Sequence, residues 1–252
     1  KLAGIYTSKL VKIPFLRGLV ILWDAMGLGT KYLMRSANIQ TGDNEKIEGP
    51  ALTLSLVFSL SLAIAIFFLA PAGITSLLEK WWPMTPFVSN LLEGLVRLTL
   101  IIGYIWAIGQ MKDIRRVFSY HGAEHKTINA FESSSALEVP LIQKYSLYHP
   151  RCGTGFVLIL VLFSILLFIL LGPIHSLLLK LLSRILLLPV LVMFAYEYMR
   201  FSANHQNHPV FRYLSVLNMS MQRLTTVGPD DRVVEVALKA FTTMYALENE
   251  KD

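Results

Sequence analysis

A chain of 252 residues that is 54% hydrophobic and only 16% charged, with a mean hydropathy of +0.53, points to lipid rather than to one or two soluble domains. The formal net charge of +6 is concentrated beside apolar runs, so it reads as a topology signal and an attraction to anionic lipid, with nucleic-acid binding disfavoured. A single cysteine, Cys152, excludes an intramolecular disulfide and fits a reduced compartment.

Residues 1–34 lack a long uncharged core followed by a small-residue cleavage site, so no cleavable signal peptide is expected. Residues 13–35 are apolar but carry Arg17, Asp24 and Lys31 at seven-residue intervals, which predicts a helix lying in the membrane surface, with a buried re-entrant segment as the alternative. A polar linker follows over 36–50. The first spanning helix is expected at 51–72, an uncharged run of membrane-crossing length. The second, 91–108, contains Glu93 and Arg97 four residues apart, where a helix lets them pair. The third, 156–171, is nearly pure Leu, Ile, Val and Phe and stops at Gly172-Pro173. The fourth, 177–198, is expected to start with Lys180 and Arg184 stretching their stems to the interface and to kink at Pro189. From 202 the chain is polar again, and Pro229-Asp230-Asp231 opens a last amphipathic helix to about residue 248.

Basic residues set the expected orientation. Lys1, Lys9, Lys12, Arg17, Lys31, Arg35 and Lys46 precede the first span, and Lys112, Arg115, Arg116, Lys126, Lys144 and Arg151 lie between the second and third. Residues 73–90 hold only Lys80, with the interfacial aromatics Trp81 and Trp82. The expectation is therefore an all-α, multi-pass inner-membrane protein: a bundle of about four transmembrane helices with both termini cytoplasmic. It divides into an N-terminal interfacial segment (1–50), a membrane domain (51–201) with a central cytoplasmic loop at 109–155, and a cytoplasmic C-terminal segment (202–252) ending in the amphipathic helix.

Chemistry concentrates at the expected cytoplasmic ends of the spans. His121-Gly122-Ala123-Glu124-His125 places two imidazoles one helical turn apart on one face with a carboxylate beside them. This is the inverted zincin spelling, in which the histidines bind a metal and the Glu activates water. The plain alternative is three polar residues capping a helix as it leaves the lipid. His149 and Cys152 offer a second metal-capable pair ahead of the third span, or else a tight turn shaped by Pro150 and Gly153. Glu197, at the end of the fourth span, is costly in lipid unless it meets a metal, a cation or water, the simple partner being Arg200. His205 and His208 read as solvated, His175 falls on the outer side, and residues 222–226 read as a solvent-facing helix end.

Four stretches carry a family resemblance: YHGAEHKTINAFE (120–132), HPRCGTGF (149–156), LLPVLVMFAYEYMR (187–200) and QRLTT with PDDRVVEVALKAF (222–241). Together with IPFLRG (13–18) they resemble, in order and over nearly the whole chain, the YqhQ-like family of bacterial inner-membrane proteins, a domain of unknown function often labelled predicted metal-dependent enzymes. An early family segment resembling GGQAVIEGVMMRG is not in this sequence. The expectation combines both lines: zinc or another divalent metal on His121, His125 and either Glu197 or Cys152 with His149, Glu124 as general base, and hydrolysis of a lipid or membrane peptide. A non-enzymatic scaffold or assembly factor is the alternative, and a transporter is weaker because the spans carry few charges. Expected partners are membrane lipids and further copies or a larger membrane complex.

Overall fold

The computed structural model describes residues 9–41, 50–174, 176–205 and 208–249; His175 and most of the 36–50 linker lie outside them. Among the described residues all regular structure is helical. After a short turn at Lys9–Lys12 come α1 (Leu16–Thr41), α2 (Pro50–Ile64), a π-helical turn (Ala65–Leu69), α3 (Ala70–Trp81) and α4 (Pro86–Ile108). Next are α5 (Lys112–Glu132), α6 (Val139–Ile142), α7 (Thr154–Leu171), α8 (Leu177–Leu186), α9 (Leu188–Asn204), α10 (Pro209–Gln222) and α11 (Asp231–Asn249). Thr53–Trp81, Pro86–Ile108 and Thr154–Leu171 are long and apolar enough to cross a membrane, and α8 with α9, bent by 42°, makes a fourth candidate.

Contacts divide the chain into two units, 1–100 with 160–198 and 101–159 with 199–252. In the first unit the helix expected to stop at 72 runs on to Trp81. Pro71 has no N–H to give to the carbonyl of Phe67, four residues earlier, and a π-turn at this point absorbs the mismatch without ending the helix. The Phe67 carbonyl accepts from Arg97 Nε instead, at 2.9 Å. Only residues 82–85 then separate α3 from α4, and Trp81 and Trp82 stand exposed at that end, as interfacial aromatics do. α4 and α7 meet closely: a Cβ placed on Gly94 would lie 2.1 Å from Ile165 Cγ1, so only glycine permits this approach.

The kink expected at Pro189 occurs at Leu187, where the chain turns before the proline's first helical turn. The stems of Lys180 and Arg184 do not run to the interface as expected. Both are buried, at 6% and 2% exposure, and turn inward toward Glu93. The cause is the carboxylate: in an apolar bundle a cation gains more from a buried partner than from a distant headgroup.

The second unit has its own small core. Ala123 and Ala130 on α5, Ile142 on α6 and Val234 on α11 are fully buried, and Val139, Tyr145, Val233 and Leu238 pack around them. The His-x-x-Glu-His stretch was expected at the end of a spanning helix. It lies instead inside α5, which residues 109–111 separate from α4.

Candidate metal centre

α5 owes its position to side chains that read the backbone of the segment after α6. Lys126 Nζ donates to the carbonyls of Gln143 and Tyr145 at 2.6 and 2.8 Å, and Asn129 Nδ2 to those of Ser146 and Tyr148 at 3.0 and 3.1 Å. Burial lowers the Lys126 pKa below its ordinary value, and the two carbonyls satisfy its ammonium. His125 joins this row. Its Nδ1 lies 2.6 Å from the Leu147 carbonyl, which can only accept, so Nδ1 carries a proton and Nε2 is the nitrogen left for other partners.

His121, one turn earlier, is fixed in the same way from a third segment. Its Nδ1 donates to the Thr225 carbonyl at 2.9 Å, and its Nε2 faces Cys152 Sγ at 3.2 Å. The two imidazole centroids are 4.4 Å apart. Ligand atoms of His121, His125 and Cys152 all lie within 4.8 Å of one another, and of the three only His121 is not buried.

Glycine is needed where α5 meets the 225–227 segment. A Cβ on Gly122 would stand 2.5 Å from the Val227 carbonyl oxygen and 3.0 Å from Leu147 Cδ2. The close approach lets Val227 N donate to the Phe118 carbonyl at 3.1 Å and brings the Thr225 carbonyl to His121.

The electrostatics favour a thiolate. Burial would raise the Cys152 pKa, but hydrogen bonds from His121, His125 and the Thr154 hydroxyl and N–H outweigh it and bring it from 9.0 to about 5. His121 is pushed up, first by its hydrogen bond to Cys152; burial opposes this, and the Thr225 carbonyl and the charges of Cys152 and Glu124 add to it. Two imidazoles and a thiol form a donor set that could hold a metal ion. Histidines whose second nitrogen is held by a backbone carbonyl have the outer-shell arrangement of metal ligands.

The other expected site residues are placed elsewhere. Glu124 is exposed on α5. His149 is buried, its ring centroid 6.0 Å from that of His125, but its Nε2 lies 3.3 Å from Glu132 Oε2 and it is outside the three-residue group. Glu197 belongs to the first unit, where its carboxylate is paired with Arg17 and accepts from the backbone N–H of Phe15 at 3.0 Å. Phe15 adopts a left-handed φ of 69° there, a conformation that costs a bulky residue about 1–3 kcal/mol.

Residues 222–226, expected to face solvent, are instead part of the site. Gln222 is fully buried and clamps the backbone of His149 from both sides: the His149 N–H donates to Gln222 Oε1 at 2.9 Å, and Gln222 Nε2 donates to the His149 carbonyl at 2.8 Å. Thr225 Oγ1 donates to Thr154 Oγ1 at 3.3 Å, next to the Cys152 thiol.

Compared with known proteins, residues 13–247 match the family described as "Protein of unknown function (DUF1385)". The "Uncharacterized protein YqhQ" of Bacillus subtilis (strain 168) is 32% identical over 251 residues, covering 94% of this chain and 78% of that protein. No solved structure matches.

Proposed function

Since the chain belongs to the DUF1385 family of proteins of unknown function, we propose a reading drawn from its own residues: a membrane protein that holds a divalent metal, zinc first, on His121, His125 and Cys152. One observation carries it: both histidines spend Nδ1 on a backbone carbonyl, and their Nε2 atoms converge on a buried thiol whose pKa is lowered to about 5. A zinc ion held there would supply Lewis acidity and a water of near-neutral pKa.

The chain's own residues do the rest. Glu124, exposed beside His125, takes the proton of the attacking water as general base. Thr154 and the Thr225 carbonyl, which hold Cys152 and His121, would orient them as ligands. The substrate class is a lipid or a membrane peptide, because the same chain carries three to four apolar helices of spanning length. The basic flanks support a reading in which both termini and α5 lie on the cytoplasmic side of the inner membrane.

A second reading has its own support. The same bonds tie α5, the turn at 149–153 and the 222–227 segment together without any metal, as a non-enzymatic scaffold would require. Elemental analysis of detergent-purified protein separates the two. About one zinc per chain, lost in the His121→Ala/His125→Ala double variant that still elutes as a folded peak, supports the metal site. A folded wild type that takes up no metal after loading leaves the scaffold.

A further inference from the structure

The first unit holds a second polar centre that the proposed function does not use. Glu93, 1% exposed, is surrounded by three buried cations. Its Oε1 accepts from Arg97 Nη2 and from Arg184 Nε, both at 2.8 Å, its Oε2 accepts from Arg184 Nη2 at 2.7 Å, and Lys180 Nζ stands 3.9 Å away. Arg97 and Arg184 complete their shells with neutral oxygens, from Phe67 and Ser164 and from Asn90 and Ser183. One buried carboxylate against three buried cations leaves positive charge in excess, which the partly exposed Glu79 offsets only in part. Glu79 reaches Lys180 only at 4.0 Å from a side chain 36% exposed. Excess charge inside an apolar bundle is expensive unless a counter-charge or water reaches it.

The structure provides a route. A cavity of about 480 Å³ opens among α3, α4, α8 and the loops at 82–85 and 172–174. Its wall includes Lys180, Arg184, Asn90, Ser89, Ser76 and Lys80, together with the carboxylate of Glu79. Lys180 Nζ meets two hydroxyls, Ser76 of the cavity wall at 3.1 Å and the buried Thr75 at 3.4 Å, the second long for an ammonium. A volume of this order holds a small ligand, and the wall offers an ammonium, the one Arg184 Nη1 N–H left after Glu93, Asn90 and Ser183, and hydroxyls, the donor set for an oxyanion.

We infer that this cavity binds a phosphate group, with Lys180 and Arg184 as its charged contacts and Lys80 at the rim. Two sources share that chemistry, a soluble phosphate and the headgroup of an anionic phospholipid. The bidentate grip of Arg184 on Glu93 positions the guanidinium, so Arg184 both holds the bundle and contacts the anion. Lys180, whose nearest partners are hydroxyls, is the residue that can be changed with less damage.

The test uses the full chain. Titration calorimetry in detergent with inorganic phosphate reads the soluble source, and native mass spectrometry after exposure to phosphatidic acid, beside phosphatidylcholine, reads the lipid source. Saturable binding of either probe, displaced by sulfate but not by chloride at equal ionic strength, supports the site. Lys180→Gln is expected to weaken binding roughly tenfold, Lys180→Arg to retain it, and the exposed Lys80→Gln to weaken it about twofold. A folded wild type that binds neither probe overturns the inference, as does displacement by chloride as effective as by sulfate. Equal binding by a folded Lys180→Gln overturns it too. If that variant does not fold, the sulfate displacement and Lys80→Gln decide the matter.

Discussion

The two units bury their polar centres in opposite ways. Around Glu93 two guanidiniums close on one carboxylate through short charge-assisted bonds, with Lys180 Nζ 3.9 Å away. Around Cys152 the groups can be neutral or charged, and backbone carbonyls choose the tautomer that leaves Nε2 of both histidines facing the thiol. Buried ion pairing makes the first centre intolerant of losing its one carboxylate. Adjustable charge makes the second a centre whose thiol proton a metal would replace on the proposed reading.

Removing a partner from the charged centre should have the largest effect. Glu93→Gln strands three cations in an apolar bundle, and the expected cost of about 3–5 kcal/mol is enough to lose the folded peak on size exclusion. Cys152→Ser is the matched change in the other unit. It should keep that peak, at a cost of about 1 kcal/mol, while metal uptake is lost. Equal damage from both would break the contrast.

Next in size are the two glycines at close approaches. Gly94→Ala drives a methyl into Ile165, and Gly122→Ala drives one into the Val227 carbonyl. Each should cost about 1–3 kcal/mol in thermal unfolding. Only Gly122→Ala should also lower metal content, because it pushes on the segment whose Thr225 carbonyl orients His121. A Gly122→Ala protein with full metal content would detach that segment from the site.

The pH response sharpens the contrast with a smaller signal. As the chain has one cysteine, the ultraviolet absorbance of its thiolate reports Cys152 alone. In metal-stripped protein the midpoint should fall near pH 5, and His121→Ala should move it up toward 9.0. A thiol pKa depressed on folding adds stability that is full above the ordinary value, shrinks as pH falls and is gone below about 5. The raised His121 pKa acts in the other sense: its contribution is full below 6.5 and is lost as pH rises through the raised value. A midpoint near 9 in folded protein would remove the thiolate from the proposed donor set.

The smallest effect is expected at Arg17. Its pair with Glu197 is partly exposed, so Arg17→Gln should cost about 1 kcal/mol or less. Metal content should not change in Arg17→Gln or in Glu197→Gln. Loss of metal in Glu197→Gln would return that carboxylate to the ligand set.

Much of this was determined by the sequence alone. Apolar runs of spanning length mark the candidate membrane helices, because the hydrocarbon thickness is matched residue by residue along one continuous segment. The i, i+4 spacing of His121 and His125 puts them on one face of any helix that contains them. Such signals are local, and a local period needs no knowledge of what lies opposite.

Tertiary structure alone decided the rest. Cys152 joins His121 across 31 residues and the Thr225 carbonyl joins it across 104, whereas Glu197, an equally plausible donor by spacing, is taken by Arg17 across 180. Gln222 and Thr225 looked like a solvated helix end because nothing in their own stretch announces the His149 backbone or the His121 ring that they hold. Lys180 and Arg184 could reach outward or inward from the same helix face with the same stems. Only the position of Glu93 on a neighbouring helix, 91 residues from Arg184, turned them inward. Long-range pairing depends on which faces pack, and packing is a property of the whole chain rather than of any window in it.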